Sequence, residues 1–243
     1  MKWTHPVRTA MTALAMLTFV SSSEAQRNRA GDFDYYLLSM SVAPSFCALR
    51  AANRSKSECQ ELTAEQFRET PLTVHGLWPN RAHASVNKQP GFCADTPLQL
   101  SGAVQTDLAR YMPGGPDLEE HEWARHGTCS GLSPEEYFTT IVNVAKQMND
   151  TVGVSMRDTG MLGGQVNVRD LIGEVATKDP VLAASIVVDC KQASARSSHR
   201  QSFLVDEIRF ILSKELKPLP ASSVGMGQNS GCPGGVGRIP SVR

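Results

Sequence analysis

Six cysteines constrain the fold of this 243-residue chain more than any other feature. They are spread over residues 47–232, and an even number of cysteines in an exported protein indicates disulfide bonds. Six cysteines allow 15 connectivities, and their separations along the chain suit pairing in sequence order. No Cys-x-x-Cys pair occurs, which argues against a zinc ribbon or a thioredoxin-like site. The six are Cys47, Cys59, Cys93, Cys129, Cys190 and Cys232.

The N-terminus has the pattern of a secretory signal peptide. Lys2 and Arg8 precede an uncharged apolar run over residues 10–20, and small residues follow it. The run is shorter than the roughly 18 apolar residues that a membrane helix needs, so we expect no stable membrane association. We predict that residues 1–25 are the signal peptide and that residues 26–243 form a single domain, secreted or periplasmic.

The charge balance excludes one way of binding nucleic acids. Lys and Arg together number 24, Asp and Glu together number 24, and the formal net charge is zero when histidine is neutral. A neutral chain lacks the broad positive field with which some proteins coat nucleic acid. Any contact with a polyanion must therefore be confined to a local site.

The apolar pattern predicts a mixture of strands and helices. Ser133 and Glu136, with proline between them, have the spacing of a capping box at the start of a helix. We expect His75 to lie at the end of a short strand, and we expect surface loops over 79–97 and from 218 onward. Strands are predicted over 33–42, 72–74, 185–191 and 202–212, and helices over 57–70, 98–111, 118–126, 133–148 and 168–178.

Two short segments concentrate the side chains that can do chemistry. Residues 73–79 read Thr-Val-His-Gly-Leu-Trp-Pro, and residues 121–129 read His-Glu-Trp-Ala-Arg-His-Gly-Thr-Cys. A single histidine is more often structural than catalytic. Here both segments join histidine to tryptophan, and the second adds a carboxylate and a guanidinium, which favours an active site. His83 and His199 lie outside these segments and are interpreted as surface residues.

Helical geometry sorts the second segment and disfavours a zinc enzyme. At 100° per residue, Glu122 and His126 lie within about 40° of each other, so they share a helix face. A zinc protease motif needs two histidines four residues apart around a glutamate. Counting four residues on from His121 reaches Arg125, whose positive charge repels a metal ion. We therefore expect no metal and no other cofactor.

The two segments resemble the paired active-site motifs of the ribonuclease T2 family. His-Gly-Leu-Trp-Pro and His-Glu-Trp-x-(Lys or Arg)-His-Gly-Thr-Cys, in this order, form a specific pair. The resemblance extends from Tyr35-Tyr36, through residues 44–47, to residues 207–210, and so covers most of the chain. It implies an α+β fold with a central antiparallel sheet flanked by helices and stapled by disulfides. It also implies cleavage of RNA without a metal.

The resemblance implies a role for each residue of the motifs. His126 matches the general base and His75 the general acid. Glu122 acts on the pentacovalent phosphorane, or it orients His126 and supports its pKa, and these two roles stay open. Arg125 stands where lysine is commonest in the family and would neutralise the phosphorane. His121 matches a phosphate-binding position.

Base recognition is expected to be tolerant. Trp78 is predicted to stack on a base, which any base permits because every base has a π-face. Asn80 stands where some relatives have an aspartate that reads adenine, and its amide offers both a donor and an acceptor. We interpret Trp123 as a core residue. Together these residues predict broad base specificity.

The resemblance also bears on the disulfides. Ile211 occupies a strand position that is cysteine in many relatives, which leaves Cys190 and Cys232 as partners for each other. We predict the pairs Cys47–Cys59, Cys93–Cys129 and Cys190–Cys232.

The leading hypothesis is a monomeric, metal-independent endoribonuclease whose partner is its RNA substrate. It would cleave single-stranded RNA through a 2′,3′-cyclic phosphate, because RNA carries its own nucleophile, the 2′-hydroxyl. Two alternatives stay open. One is an inactive family member that binds RNA or a protein, and the other is a zinc metalloenzyme.

Overall fold

The sheet of this protein combines long antiparallel strand pairs with short parallel ones. The computed structural model describes residues 29–193 and 202–242, so the predicted signal peptide and His199 lie outside the described residues. The described strands are β1 (Tyr35–Ser41), β2 (Thr73–Asn80), β3 (Gln165–Asn167), β4 (Ile186–Gln192), β5 (Phe203–Leu212), β6 (Asn229–Ser230) and β7 (Val236–Arg238).

Strand order places β1 and β5 at the centre. The path is β2-β1-β5-β4-β6, and the pairs β2–β1, β1–β5 and β5–β4 are antiparallel. β6 runs parallel to β4, and β7 runs parallel to β5 while pairing with β3 in the antiparallel sense. The predicted α+β class with a central antiparallel sheet is confirmed, and the short parallel pairings add to it.

Helices cover the sheet and complete its core. The described helices are α1 (Ala43–Leu49), α2 (Ser57–Gln60), α3 (Ala64–Glu69), α4 (Gly102–Tyr111), α5 (Gly115–Arg125), α6 (Pro134–Met148), α7 (Val154–Asp158), α8 (Val168–Lys178) and α9 (Pro180–Ser185). Tyr137 and Phe138 of α6 are fully buried in one core with Leu38 of β1. Tyr35 and Leu37 alternate to the other face, where a smaller core forms. Among the described residues, no helix combines the length and apolar character needed to cross a membrane.

The second strand is longer than predicted, and this changes the setting of His75. A strand over 72–74 that ends before His75 is wrong, because β2 continues through His75 to Asn80. It pairs with β1 along that whole length, from Ser41 to Tyr35. Proline at position 79 is tolerated because β2 is an edge strand.

Local capping explains where other helices differ from prediction. The helix predicted over 57–70 is two helices, because Thr63 and Gln66 form a capping box that starts α3 anew. The helix predicted from residue 98 begins at Gly102, after Ser101 caps it. The capping box of Ser133 and the helix over 168–178 are confirmed.

The tail from 218 is not only loop, since it contributes β6 and β7.

The three predicted disulfides are confirmed. Cys47–Cys59, Cys93–Cys129 and Cys190–Cys232 have Cα–Cα distances of 5.6, 4.9 and 4.8 Å. No cysteine of the described residues is free. The second bridge joins the loop after β2 to the turn that follows α5, so it ties the loop that follows the first motif segment to the end of the second.

The bridges should differ in how much they stabilise the fold. Replacing Cys190 and Cys232 by serine opens a loop with a sequence separation of 42, and replacing Cys47 and Cys59 opens one of 12. Loop-closure entropy predicts losses of about 4 and about 3 kcal/mol in the free energy of unfolding. Urea unfolding of the two double variants measures both values. A larger loss for the shorter loop would contradict this explanation.

Candidate active site

His75 owes its orientation to a β-bulge. Ser39 pairs with Gly76 and Met40 pairs with Val74, so His75 is the extra residue of β2. A bulge bends its strand and redirects the side chain, and bulges are frequent beside active sites. The His75 side chain is 41% exposed and lines a cavity of about 510 Å³.

Trp78 packs against one histidine from each motif, His75 and His126. Its ring centroid is 5.2 Å from that of His75 and 5.3 Å from that of His126. Its Nε1 donates a 2.7 Å hydrogen bond to Oε2 of Glu122. A Cβ at Gly76 would collide with both partners of this bond, so glycine is required for their approach. The structure thus brings His75, Glu122 and His126 together around one indole.

Glu122 is a buried carboxylate beside His75. It lies on α5, and its Oε1 is 4.0 Å from Nε2 of His75. Burial raises the pKa of Glu122 to about 7, against the hydrogen bond from Trp78 and the positive charges of His75 and Arg125. The contacts described for the Glu122 carboxylate are with Trp78 and His75, and they do not include the His126 ring. The role in which this carboxylate supports the pKa of His126 is therefore not backed by a side-chain contact.

His126 is placed where α5 ends. Its φ of −120° departs from helical values, and its amide closes the last turn on Glu122. Within the described structure, Nδ1 of His126 is buried without a hydrogen-bond partner. Burial, followed by the positive charges of Arg125, His121 and His75, lowers the pKa of His126 to about 3.

Glu207 is a site residue that the sequence reasoning missed. It lies on β5, is buried, and its Oε1 is 2.7 Å from Nδ1 of His75. Burial disfavours the charged ring, but the hydrogen bond and charge of Glu207, with the charge of Glu122, raise the pKa of His75. Acidic residues at 206 and 207 followed by Arg209, inside an otherwise apolar strand, were the available signal.

Arg125 and His121 are exposed at the edge of this group. The Arg125 guanidinium lies 5.5 Å from the ring centroid of Phe92, and the Arg125 carbonyl accepts a hydrogen bond from the Phe92 amide. His121 lines the same cavity as His75. Both side chains are thus open to an anion that enters the site.

The remaining predicted residues divide between core and surface. Trp123 is buried and donates to the Thr96 carbonyl at 2.6 Å, which confirms its interpretation as a core residue. Asn80 ends β2, and its amide donates to the Tyr35 hydroxyl at 3.4 Å. His83 is exposed on the following loop.

Among the described residues, no group of three or more His, Cys, Asp or Glu could hold a metal ion.

The site contains two imidazoles that pack against the same indole and whose surroundings favour opposite protonation states. The raised pKa of His75 favours its charged form, and the lowered pKa of His126 favours its neutral form. Such a pair can donate a proton on one side of a reacting group and accept one on the other.

Comparison with known proteins identifies relatives of this arrangement. The model of the ribonuclease T2 family matches residues 33–219. A ribonuclease of Aeromonas hydrophila is 29% identical over 140 residues, which cover 58% of this chain and 58% of that protein. Ribonuclease I of Escherichia coli (strain K12) is 30% identical over 173 residues, covering 58% and 65%. The chain thus spans about three fifths of the length of these relatives.

Solved structures share the fold. Ribonuclease MC1 from bitter gourd seeds superimposes with a TM-score of 0.63 at 17% identity, covering 85% of this chain and 100% of that one. A tyrosine-to-alanine variant of ribonuclease MC1, solved in complex with 5′-UMP, gives a TM-score of 0.62 at 17% identity and covers 85% and 98%.

Gly76→Ala should weaken the fold at the site, because the added methyl collides with the Trp78 and Glu122 side chains. Overpacking and loss of a charge-assisted hydrogen bond predict a loss of about 2–3 kcal/mol in the free energy of unfolding. Gly173→Ala on α8 is the matched control, since nothing lies within 4 Å of its added Cβ. It should stabilise by about 0.5–1 kcal/mol. Urea unfolding measures both, and equal effects would refute the packing argument.

Proposed function

This chain belongs to the ribonuclease T2 family, and we propose that it is an endoribonuclease that cleaves single-stranded RNA without a metal ion. One observation carries the proposal. The rings of His75 and His126 both pack against Trp78, with centroids 5.2 and 5.3 Å from its ring, and their surroundings shift their pKa values in opposite directions. At mildly acidic pH, one ring is then protonated and the other neutral, as acid–base catalysis requires.

The reaction follows from these protonation states. Neutral His126 takes the proton of the 2′-hydroxyl, and the 2′-oxygen attacks phosphorus. Protonated His75 gives its proton to the 5′-oxygen as the bond from phosphorus to that oxygen breaks. The products are a 2′,3′-cyclic phosphate and a 5′-hydroxyl, and the cyclic ester can then be opened by water.

The neighbouring charged groups act on the phosphorane. Arg125 and His121 are exposed beside the histidines and supply positive charge to its equatorial oxygens. Glu122 is fixed by Trp78, and its Oε1 lies 4.0 Å from Nε2 of His75, so it is placed to act on the reacting phosphate. Its side-chain contacts do not favour the alternative in which it orients His126.

Base binding is assigned to the region between the histidines and the end of β2. Trp78 is half-buried and offers an aromatic surface, and Asn80 lies two residues further along the strand. The related MC1 variant solved with 5′-UMP supports a nucleotide ligand for this fold. We infer broad base specificity, since neither group selects one base strongly.

The setting of the protein belongs to the proposal as well. Three disulfides fit an oxidising compartment, and with the predicted signal peptide they support secretion or a periplasmic location. We propose that the protein works as a monomeric single domain whose partner is RNA.

Replacing either catalytic histidine should strongly reduce cleavage. His75→Asn and His126→Asn should each lower kcat/KM for a dinucleotide at least about 100-fold, because each removes one proton transfer. His83→Asn is the matched control, because His83 is exposed and asparagine tolerates its φ of 58°. Chromatography of the products should show the 2′,3′-cyclic phosphate.

The same assay separates the alternatives. Wild-type cleavage should persist in excess EDTA and should spare DNA, which has no 2′-hydroxyl. Loss of activity in EDTA with recovery in zinc would replace the two-histidine mechanism by a metal-dependent one. RNA binding without cleavage would identify an inactive family member.

Base tolerance is tested at Asn80. The wild-type protein should cleave four homopolymers with rates that differ by less than about 100-fold, equivalent to about 2.7 kcal/mol. Asn80→Asp should sharpen the preference without abolishing cleavage, because a carboxylate only accepts hydrogen bonds. Rates on the four substrates before and after the change decide this. A wild-type preference beyond that limit would contradict broad specificity.

A further inference from the structure

A cluster of five charged residues lies in β4 and β5, outside both motifs. Asp189, Asp206 and Glu207 are buried acids, and Lys191 and Arg209 are their cationic partners. Burying charge is costly unless each group is paired. Glu207 contacts His75 directly, and Asp206 and Lys191 line the same cavity as His75.

Both oxygens of that carboxylate are engaged. Oε1 is 2.7 Å from Nδ1 of His75. Oε2 accepts from Nε of Arg209 at 2.9 Å and from its Nη2 at 2.6 Å. Arg209 is held in turn by Asp189 at 3.1 Å. A carboxylate fixed at both ends cannot rotate, so the direction in which it meets His75 is set.

The sheet is shaped to allow this contact across an intervening strand. β1 lies between β2 and β5, and it presents serines in register with the charged residues: Ser39 opposite Arg209 and Ser41 opposite Glu207. The bulge at His75 is matched by another between β4 and β5, where Asp206 is the extra residue. Small side chains and two bulges thus bring the two groups together.

We propose that Glu207 is a positioning residue for His75. Its carboxylate accepts the hydrogen on Nδ1, which fixes the ring and leaves Nε2 to face the cavity and the leaving 5′-oxygen. The proposal rests on the proposed function, in which His75 is the proton donor. It adds a carboxylate–histidine pair to a site whose motifs contain only Glu122.

The charged groups around His75 favour its protonated form. Burial of the ring opposes its charge, as does Lys191 of β4, whereas Glu207 from β5 and Glu122 from α5 favour it. The balance raises the pKa of His75, so the ring stays protonated to higher pH than an ordinary histidine. Activity that needs this proton is lost as pH rises through that raised pKa.

The first test uses the wild-type protein, so it does not depend on whether a variant folds. Nitrogen-15 NMR of the full chain identifies the tautomer of neutral His75 and follows its titration. We expect the hydrogen on Nδ1 and a pKa above the ordinary 6.5. A neutral ring with its hydrogen on Nε2, or a pKa at or below 6.5, would overturn the proposal.

The second test compares two glutamates. Glu207→Gln keeps an oxygen that can accept from Nδ1 but removes the charge, so the His75 pKa should fall and the basic limb of the pH–kcat profile should move to lower pH. We expect kcat to drop by about 10-fold to 100-fold with KM little changed. Glu119→Gln is the control. Glu119 is buried, as Glu207 is, but it lies on α5 and has no described contact with His75. It should leave both the profile and kcat unchanged.

The outcomes separate this proposal from the proposed function. If the wild-type protein cleaves RNA and Glu207→Gln keeps its kcat and its basic limb, the cluster is only structural and positioning is wrong. Glu207→Asp restores the charge, so it should return the His75 pKa toward the wild-type value, and failure to do so would also overturn the proposal. If the wild-type protein cleaves no RNA, the proposed function fails, while the tautomer and titration of His75 still decide its pairing with Glu207.

Discussion

The hydrogen bond from the Trp78 indole to the buried Glu122 carboxylate joins the two halves of the site. One half belongs to the edge strand β2 and the other to the helix α5, and the two bonded residues are separated by 44 residues in sequence. The bond forms only because Gly76 has no side chain. The Cys93–Cys129 bridge holds the same junction, and the Tyr137 hydroxyl of α6 fixes β2 from the next helix by donating to the Leu77 carbonyl at 2.6 Å. The distances between the catalytic groups depend on this junction.

The two histidines are made different by what their Nδ1 atoms meet. His75 presents Nδ1 to the Glu207 carboxylate, and His126 buries Nδ1 without a described partner beside the cation of Arg125. A carboxylate favours imidazolium, whereas burial and positive charge favour the neutral ring. A histidine side chain can therefore serve as acid at position 75 and as base at position 126. This asymmetry supports the direction of proton transfer that the family resemblance implied.

Much of this arrangement could be predicted because its signals are local. The Ser133 capping box, the helix over 168–178 and the three disulfides follow from spacings or from the motif resemblance, and all are present. The features that escaped prediction depend on residues far apart in sequence. The length of β2 is set by its pairing with β1, and the Glu207 contact with His75 spans 132 residues. Neither a β-bulge nor a contact across an intervening strand produces a periodic pattern in the sequence.

The charged cluster in β4 and β5 is hard to explain by stability alone. Buried ion pairs are often no more stabilising than apolar side chains of similar volume, because desolvation offsets their attraction. Three buried acids in a sheet with apolar cores on both faces are therefore an inefficient way to hold two strands together. Despite burial, the hydrogen bond with His75 and the charge of Arg209 lower the pKa of Glu207 to about 2, so Arg209 helps to keep this carboxylate ionised, which apolar packing cannot do. A proton-donating histidine needs an ionised carboxylate of fixed orientation at its other ring nitrogen. Strand β5 places the Glu207 carboxylate at Nδ1 of His75.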